Sequence, residues 1–180
     1  MKEKRDRLFK RGRPLVREFH VFDGDKLHLD MGLLWVSYTK GEFFWDFPKG
    51  MNKEEFADSV VKLASQTEMF MVDDYNDEFG KIGPIGVVVV RGNGWKIRPH
   101  TVIFPWATAR NKLRCTVAFF QMARYKKIGV CIVESLFDSK PLFDKCVEYG
   151  VLKYVGKIQN GDPRGDEYIY AVSGKKREMK

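Results

Sequence analysis

Residues Thr101–Tyr125, TVIFPWATARNKLRCTVAFFQMARY, constrain the fold more than any other stretch of the chain. Thr101–Phe104 reads as a buried strand, Pro105 breaks it, and a helix is predicted from about Thr108 to Tyr125. A strand that runs directly into a helix leaves a row of unpaired backbone N–H groups at the helix start. The helix macrodipole favours negative charge at the same place, so such an end suits an anion. Turns that grip a pyrophosphate need glycine for close backbone approach, yet no glycine lies between Pro105 and Ile128. The stretch reads as a nucleotide-type cofactor scaffold whose cofactor turn is worn out.

The rest of the chain supplies a domain around this unit. Leu15–Phe22 and Lys26–Met31 alternate around Asp23-Gly24-Asp25 and predict a hairpin; Leu33–Tyr38 and Glu42–Phe47 around Lys40-Gly41 predict a second. Asn52–Gln66 is predicted helical, with Asn52 and Glu55 at capping-box spacing and Phe56, Val60, Leu63 and Ala64 on one face. Met69–Asp73 and Gly86–Arg91 read as strands joined through a polar turn, and Gly92-Asn93-Gly94 turns the chain into Trp95–Phe104. After the central helix come a strand at Gly129–Glu134, a helix from Ser139 to Gly150, and strands at Val151–Ile158 and Asp166–Val172. Helices interleaved with strands around one sheet predict an α/β or α+β domain.

At 180 residues and 44% hydrophobic, the chain suits one compact domain. No apolar run reaches the length of a membrane span, and the charged start lacks a secretory pattern, so no membrane association and a cytosol-like compartment are expected. Cys115, Cys131 and Cys146 are too few and too scattered for a disulfide framework or a zinc site, and His20, His28 and His100 show no ligand spacing. No metal is expected.

The net charge of +8 is unevenly placed. Residues 1–14 hold seven bases against Glu3 and Asp6, and residues 174–180 hold four against Glu178. Of 32 bases and 24 acids, 21 of each remain in residues 15–173. The domain organisation expected is a basic arm (1–14), a formally neutral body (15–173) and a basic tail (174–180). Basic ends of this kind suit contact with a polyanion, or are simply solvated. Arg11-Gly12-Arg13-Pro14 is similar to the AT-hook, in which arginines enter an A·T minor groove, so Arg11 and Arg13 are the candidate nucleic-acid contacts.

The order of elements over Asn52–Val172 resembles the GCN5-related N-acetyltransferase (GNAT) superfamily. In that family a helix leads into a long antiparallel hairpin (here Met69–Phe104), and a strand–turn–helix unit (here Thr101–Tyr125) holds the coenzyme A pyrophosphate. The next strand, Gly129–Glu134, would splay away to admit the pantetheine arm. The resemblance implies an α+β GNAT fold with a mixed, mostly antiparallel sheet flanked by helices, and acetyl-CoA as cofactor, with Thr108, Ala109, Arg110, Asn111 and Lys112 at the coenzyme turn. The family pattern of Arg or Gln, two residues, Gly, one residue, Gly or Ala is not kept. Its slots hold Thr108, Asn111 and Leu113, or in a shifted register Arg110, Leu113 and Cys115. Arg110, Lys112 and Arg114 suit compensating charge, or form a solvated helix face.

The strings PWATARN and FDKCVEYGV look like GNAT-like proteins of tailed bacteriophages, some of them virion components. That likeness implies a protein of the host cytoplasm that assembles with other virion proteins, with a degenerate coenzyme site. The rival expectation is an active acetyl-CoA-dependent N-acetyltransferase. Acetyl transfer would require a base and an acid. His100 is the first choice of base and Glu134 the second, while Cys146 occupies the family's general-acid slot and is inert if buried. Asp73, Asp74 and Asp77 suit attraction of an amine, or are loop residues. Trp106 either plugs the turn or stacks on adenine, and Trp35, Phe43, Phe44 and Trp45 form either a partner surface or a cover for the sheet.

Overall fold

In the computed structural model, which describes residues 2–21, 24–41, 47–76, 80–93, 96–125, 130–135, 139–163 and 165–173, strands and helices are interleaved along the chain. The order is α1 (Lys2–Leu8), β1 (Leu15–Glu18), α2 (Gly24–Thr39), α3 (Lys53–Gln66), β2 (Glu68–Asn76), β3 (Lys81–Asn93), β4 (Lys96–Ile103), α4 (Ala109–Tyr125), β5 (Val130–Ser135), α5 (Lys140–Glu148), β6 (Lys153–Asp162) and β7 (Gly165–Ser173). The strands form one sheet in the order β1-β2-β3-β4-β5-β7-β6. Among the described residues only β4 and β5 pair in parallel; the other neighbours are antiparallel. This is the α+β class expected, with a mixed, mostly antiparallel sheet between helices.

Strand alternation sends side chains to two cores. Phe70 and Val72 face α4 and α5, where they join Phe119, Phe120, Phe143, Cys146 and Tyr170. Met69 and Met71 face the other way and meet Leu34, Tyr38, Phe56 and Val60 of α2 and α3. The local signals at helix ends are realised. Asn52 Oδ1 accepts from the Glu54 and Glu55 amides at 2.9 and 3.0 Å, and Glu55 Oε2 accepts from Asn52 N at 2.8 Å, which closes the capping box. Gly150 stops α5 at φ +67°, donating to Val147 O at 2.8 Å while Val151 N reaches back to Cys146 O at 3.0 Å.

The two N-terminal hairpins do not form. Leu15–Glu18 pairs with β2, and Gly24–Thr39 is a single helix. Leu27, Met31, Leu34, Trp35 and Tyr38 make a helical stripe toward the sheet and α3. Tyr38 and Trp35 pack on Phe56 with ring centroids 4.8 and 5.5 Å away, and the Tyr38 hydroxyl donates to Pro48 O at 2.5 Å. The stripe is hard to read because Leu29 and Val36 stand on the solvent side, 59% and 40% exposed, and so mimic strand alternation. Of the expected second hairpin, Phe43, Phe44 and Trp45 lie outside the described residues, whereas Phe47 is buried against Phe56.

Residues 1–14, read as a basic arm, hold α1 and a loop that packs on the domain. Leu8 and Phe9 belong to the α4–α5 core. Arg114 of α4 ties them down: its guanidinium donates to Leu8 O, to Gly12 O at 2.7 Å, and to both oxygens of Asp74 at 2.8 and 2.9 Å. It also lies over the Phe9 ring, 5.6 Å from the centroid. Arg114 and Asp74 are each only 3% exposed. Removing one partner of such a buried pair strands the other charge, so Arg114→Ala is expected to cost about 3–5 kcal/mol in urea unfolding. A loss below about 1 kcal/mol would show that the pair does not hold the N-terminal segment in place.

Candidate functional site

The turn after β4 is set by a bulge in β3. The β2–β3 register steps from Val72 opposite Gly86 to Asp73 opposite Pro84, leaving Ile85 as the extra residue. Pro84 has no N–H to offer a ladder, so a bulge is a fitting place for it. Two carbonyls beside the bulge then hold the turn: Phe104 N donates to Ile85 O at 2.9 Å, and the Trp106 indole N–H donates to Pro84 O at 2.9 Å. Trp106 also packs on Phe104, with centroids 4.8 Å apart. Its indole therefore serves the turn. At Gly86 the sheet is tight, since a Cβ there would stand 2.7 Å from Val102 O.

The first turn of α4 is closed on itself. Thr108 is the N-cap residue, its hydroxyl accepting from Asn111 N at 3.1 Å and donating to Asn111 Oδ1 at 2.7 Å. Asn111 Oδ1 also accepts from Thr108 N at 3.4 Å. The same side chain donates through Nδ2 to Asp74 Oδ2 at 3.0 Å and to Tyr75 O at 2.9 Å. Both ends of the Asn111 amide are thus committed, and the residue is buried. Ala109, Arg110 and Lys112 are exposed. Of the five expected coenzyme-turn residues, Thr108 and Asn111 meet each other. Arg110 and Asn111 line a recess of about 10 Å³ with Arg11, Tyr75 and Arg114.

The expected base and acid are not brought together. His100 lies on β4, in unbroken register with β3, on the same side as Val102 and Phe104, which face α2 and α3. Cys146 lies on the opposite side of the sheet, fully buried between α5 and α4. Glu134 of β5 pairs with Ile169 of β7, and its side chain lies outside the described residues, as does Asp77. β4 and β5 share two rungs, Lys96–Val130 and Ile97–Cys131. Beyond them both strands continue without a further rung, so the sheet is parted between them among the described residues. Among those residues no cluster of three or more His, Cys, Asp or Glu gathers for a metal, and no helix is long and apolar enough to cross a membrane.

Asp73 and Asp74 are not an open amine-attracting cluster. Alternation sends them to opposite faces of the sheet, each into an ion pair. Asp74 meets Arg114. Asp73 accepts from Arg17 Nε at 2.7 Å, while Arg17 Nη1 and Nη2 reach Asp30 at 2.6 and 2.8 Å. The Asp30 bonds, ahead of those to Asp73, push the Arg17 pKa up and keep it charged. Sequence reasoning missed both pairs. The usable signal was an arginine within an otherwise buried helix run (Arg114-Cys115-Thr116-Val117) and two aspartates closing the apolar run Met69–Val72, because a buried charge needs an opposite partner.

No protein-family model and no curated protein matches the chain. Solved structures do. A GNAT-family acetyltransferase from Bacillus anthracis matches 89% of this chain and 95% of its own, with a TM-score of 0.63 and 16% identity. The chain has the GNAT acetyltransferase fold. A probable GNAT-family acetyltransferase from Chromobacterium violaceum covers 89% of this chain and 87% of its own, at TM-score 0.61 and 12% identity. Spermidine N-acetyltransferase from Vibrio cholerae, solved in complex with CoA and spermine, covers 89% and 95% at TM-score 0.61 and 12% identity. In this GNAT fold the pair β4–β5 and the start of α4 are the elements that the sequence resemblance assigns to coenzyme A.

Burial pushes the Cys146 thiol up to about 12. The folded value lies above the ordinary thiol value near 8.5, so this group adds stability below about pH 8.5 that is lost as pH rises toward 12. Native protein treated with iodoacetamide at pH 8 is expected to keep Cys146 unmodified by peptide mass spectrometry, with labelling only after denaturation. Rapid native labelling would mean that the thiol is accessible.

Proposed function

We propose that this chain uses the GNAT fold as a binding or structural component and does not carry out acetyl transfer. The observation that carries this reading is the closed first turn of α4. A pyrophosphate seated on Asn111 N would have to displace the Thr108 hydroxyl, and one that used the Asn111 side chain would have to break it away from Asp74 and Tyr75. The turn also has side chains, not glycine, at every slot where bare backbone would approach phosphate. These residues fit the coenzyme poorly. The separation of His100 and Cys146 by the sheet, and the burial of the thiol, support the same reading.

Within it, the likeness of PWATARN and FDKCVEYGV to tailed-phage proteins supports a role among virion components. The second reading, an acetyl-CoA-dependent N-acetyltransferase, draws on the parted strands β4 and β5 and on the neighbour solved with CoA and spermine. Calorimetric titration with acetyl-CoA, paired with a thermal shift, separates the two. No saturable heat and no rise in Tm are expected at millimolar ligand. A specific ligand at a hundred times its Kd would stabilise the fold by about 2.7 kcal/mol. Saturable binding with such a shift would sink the first reading.

A further inference from the structure

Helix α2 is apolar on two sides. Its core face carries the buried residues Asp30, Leu34, Ser37 and Tyr38. At 3.6 residues per turn, Asp25, Leu29, Gly32 and Val36 fall within about 60° of arc on the opposite side. Lys40, one turn on from Val36 and just past the helix end, continues the same line. Leu29 and Val36 are exposed although apolar, and Asp25 and Lys40 are exposed at either end. Single exposed apolar residues are ordinary. Two on one line, a heptad apart with a glycine between them, have the spacing of a helix–helix seam. Gly32 is also out of place in the middle of an amphipathic helix, where glycine costs stability relative to alanine. A Cβ there would meet nothing within 4 Å, so no crowded neighbour among the described residues requires the glycine.

We infer that the outer face of α2 docks a second copy of this chain, helix against helix and antiparallel. The stripe is complementary to itself. A two-fold axis crossing α2 between Gly32 and Leu33 sets Leu29 of each copy against Val36 of the other, and Asp25 of each against Lys40 of the other. Both apolar residues are then covered, and each end of the seam carries a pair of opposite charges. At the crossing point Gly32 lets the backbones approach to the short end of helix spacing, about 8 Å between axes. An unrelated partner would not require charges placed symmetrically about the glycine. The 16 residues of α2 offer one helix face per copy. That is less than the ~800 Å² per partner of a standard interface, so a Kd on the order of 10 μM is expected. The inference is independent of whether acetyl-CoA binds.

The test is sedimentation equilibrium of the full chain from about 1 to 300 μM, a range that brackets the expected Kd. A monomer–dimer equilibrium is expected. Leu29→Asp should weaken it by about tenfold or more, because the lost apolar contact occurs twice in a two-fold interface. Gly32→Leu should also weaken it, since the added side chain holds the helices apart even though it makes the face more apolar. Asp25→Lys should weaken it, and Asp25→Lys/Lys40→Asp should restore it. The macrodipole of α2 alone would favour the native charges and predicts no such rescue. Ile158→Asp, an exposed apolar position on the edge strand β6, should leave the equilibrium unchanged. A cooperative melt at the lowest concentration confirms that each variant folds. The inference is overturned by a monomer at every concentration, by stronger association in Gly32→Leu, or by failure of the charge swap to rescue. It is also overturned if Ile158→Asp abolishes the dimer while Leu29→Asp keeps it, because the sheet edge would then be the interface.

Discussion

Arg114 is the point on which the assembly of this domain turns. A guanidinium taken out of water is tolerated only when its charge is matched and its N–H groups are bonded. Arg114 meets that demand with a carboxylate from β2, the Leu8 carbonyl at the end of α1 and the Gly12 carbonyl of the loop after it, and so joins three parts of the chain at the start of α4. Asn111, one turn earlier, shares the same Asp74 and passes the constraint on to Thr108. The geometry of the candidate site therefore follows from a stability requirement. The bonds that hold the helix start to the sheet take up the Asn111 amide and the Arg114 guanidinium, while the Thr108 hydroxyl caps Asn111 N.

The frame around that point is supplied by the sheet. The bulge at Ile85 turns two carbonyls toward the loop after β4, which fixes Phe104 and Trp106 before α4 begins. The rungs that β4 shares with β5 and the side chains that close the turn before α4 are on different residues. A fold can in this way keep its architecture while the chemistry at its mouth changes, because the two rest on different residues.

Much of the fold was legible in the chain. The capping box at Asn52 and Glu55, the helix stop at Gly150 and the strand–proline–helix passage through Pro105 are all carried by neighbours a few residues apart. The strands Met69–Asp73, Gly86–Arg91, Gly129–Glu134 and Asp166–Val172 are found, with longer or shifted ends, where their apolar runs stand. Helix α2 was misread because its two exposed apolar residues, Leu29 and Val36, break the contrast between faces on which periodicity depends. Thr108 and Asn111 stand at the start of α4, as their position after Pro105 implies, whereas their mutual bonds and the commitment of Asn111 to Asp74 are not readable from near neighbours.

The sequence by itself determined the order of elements, the α+β class and the unequal distribution of charge. Each of these follows from backbone preferences or residue counts that need no knowledge of distant neighbours. Tertiary structure alone decided that the basic N-terminus is fastened to α4, that Asp73 and Asp74 are buried in ion pairs, and that His100 and Cys146 stand on opposite faces of the sheet. The bonds responsible join residues 40 and 106 positions apart. Local propensity has no term for such pairs. They form because packing excludes water from a charge, and the charge then takes whatever partner the fold has carried within reach.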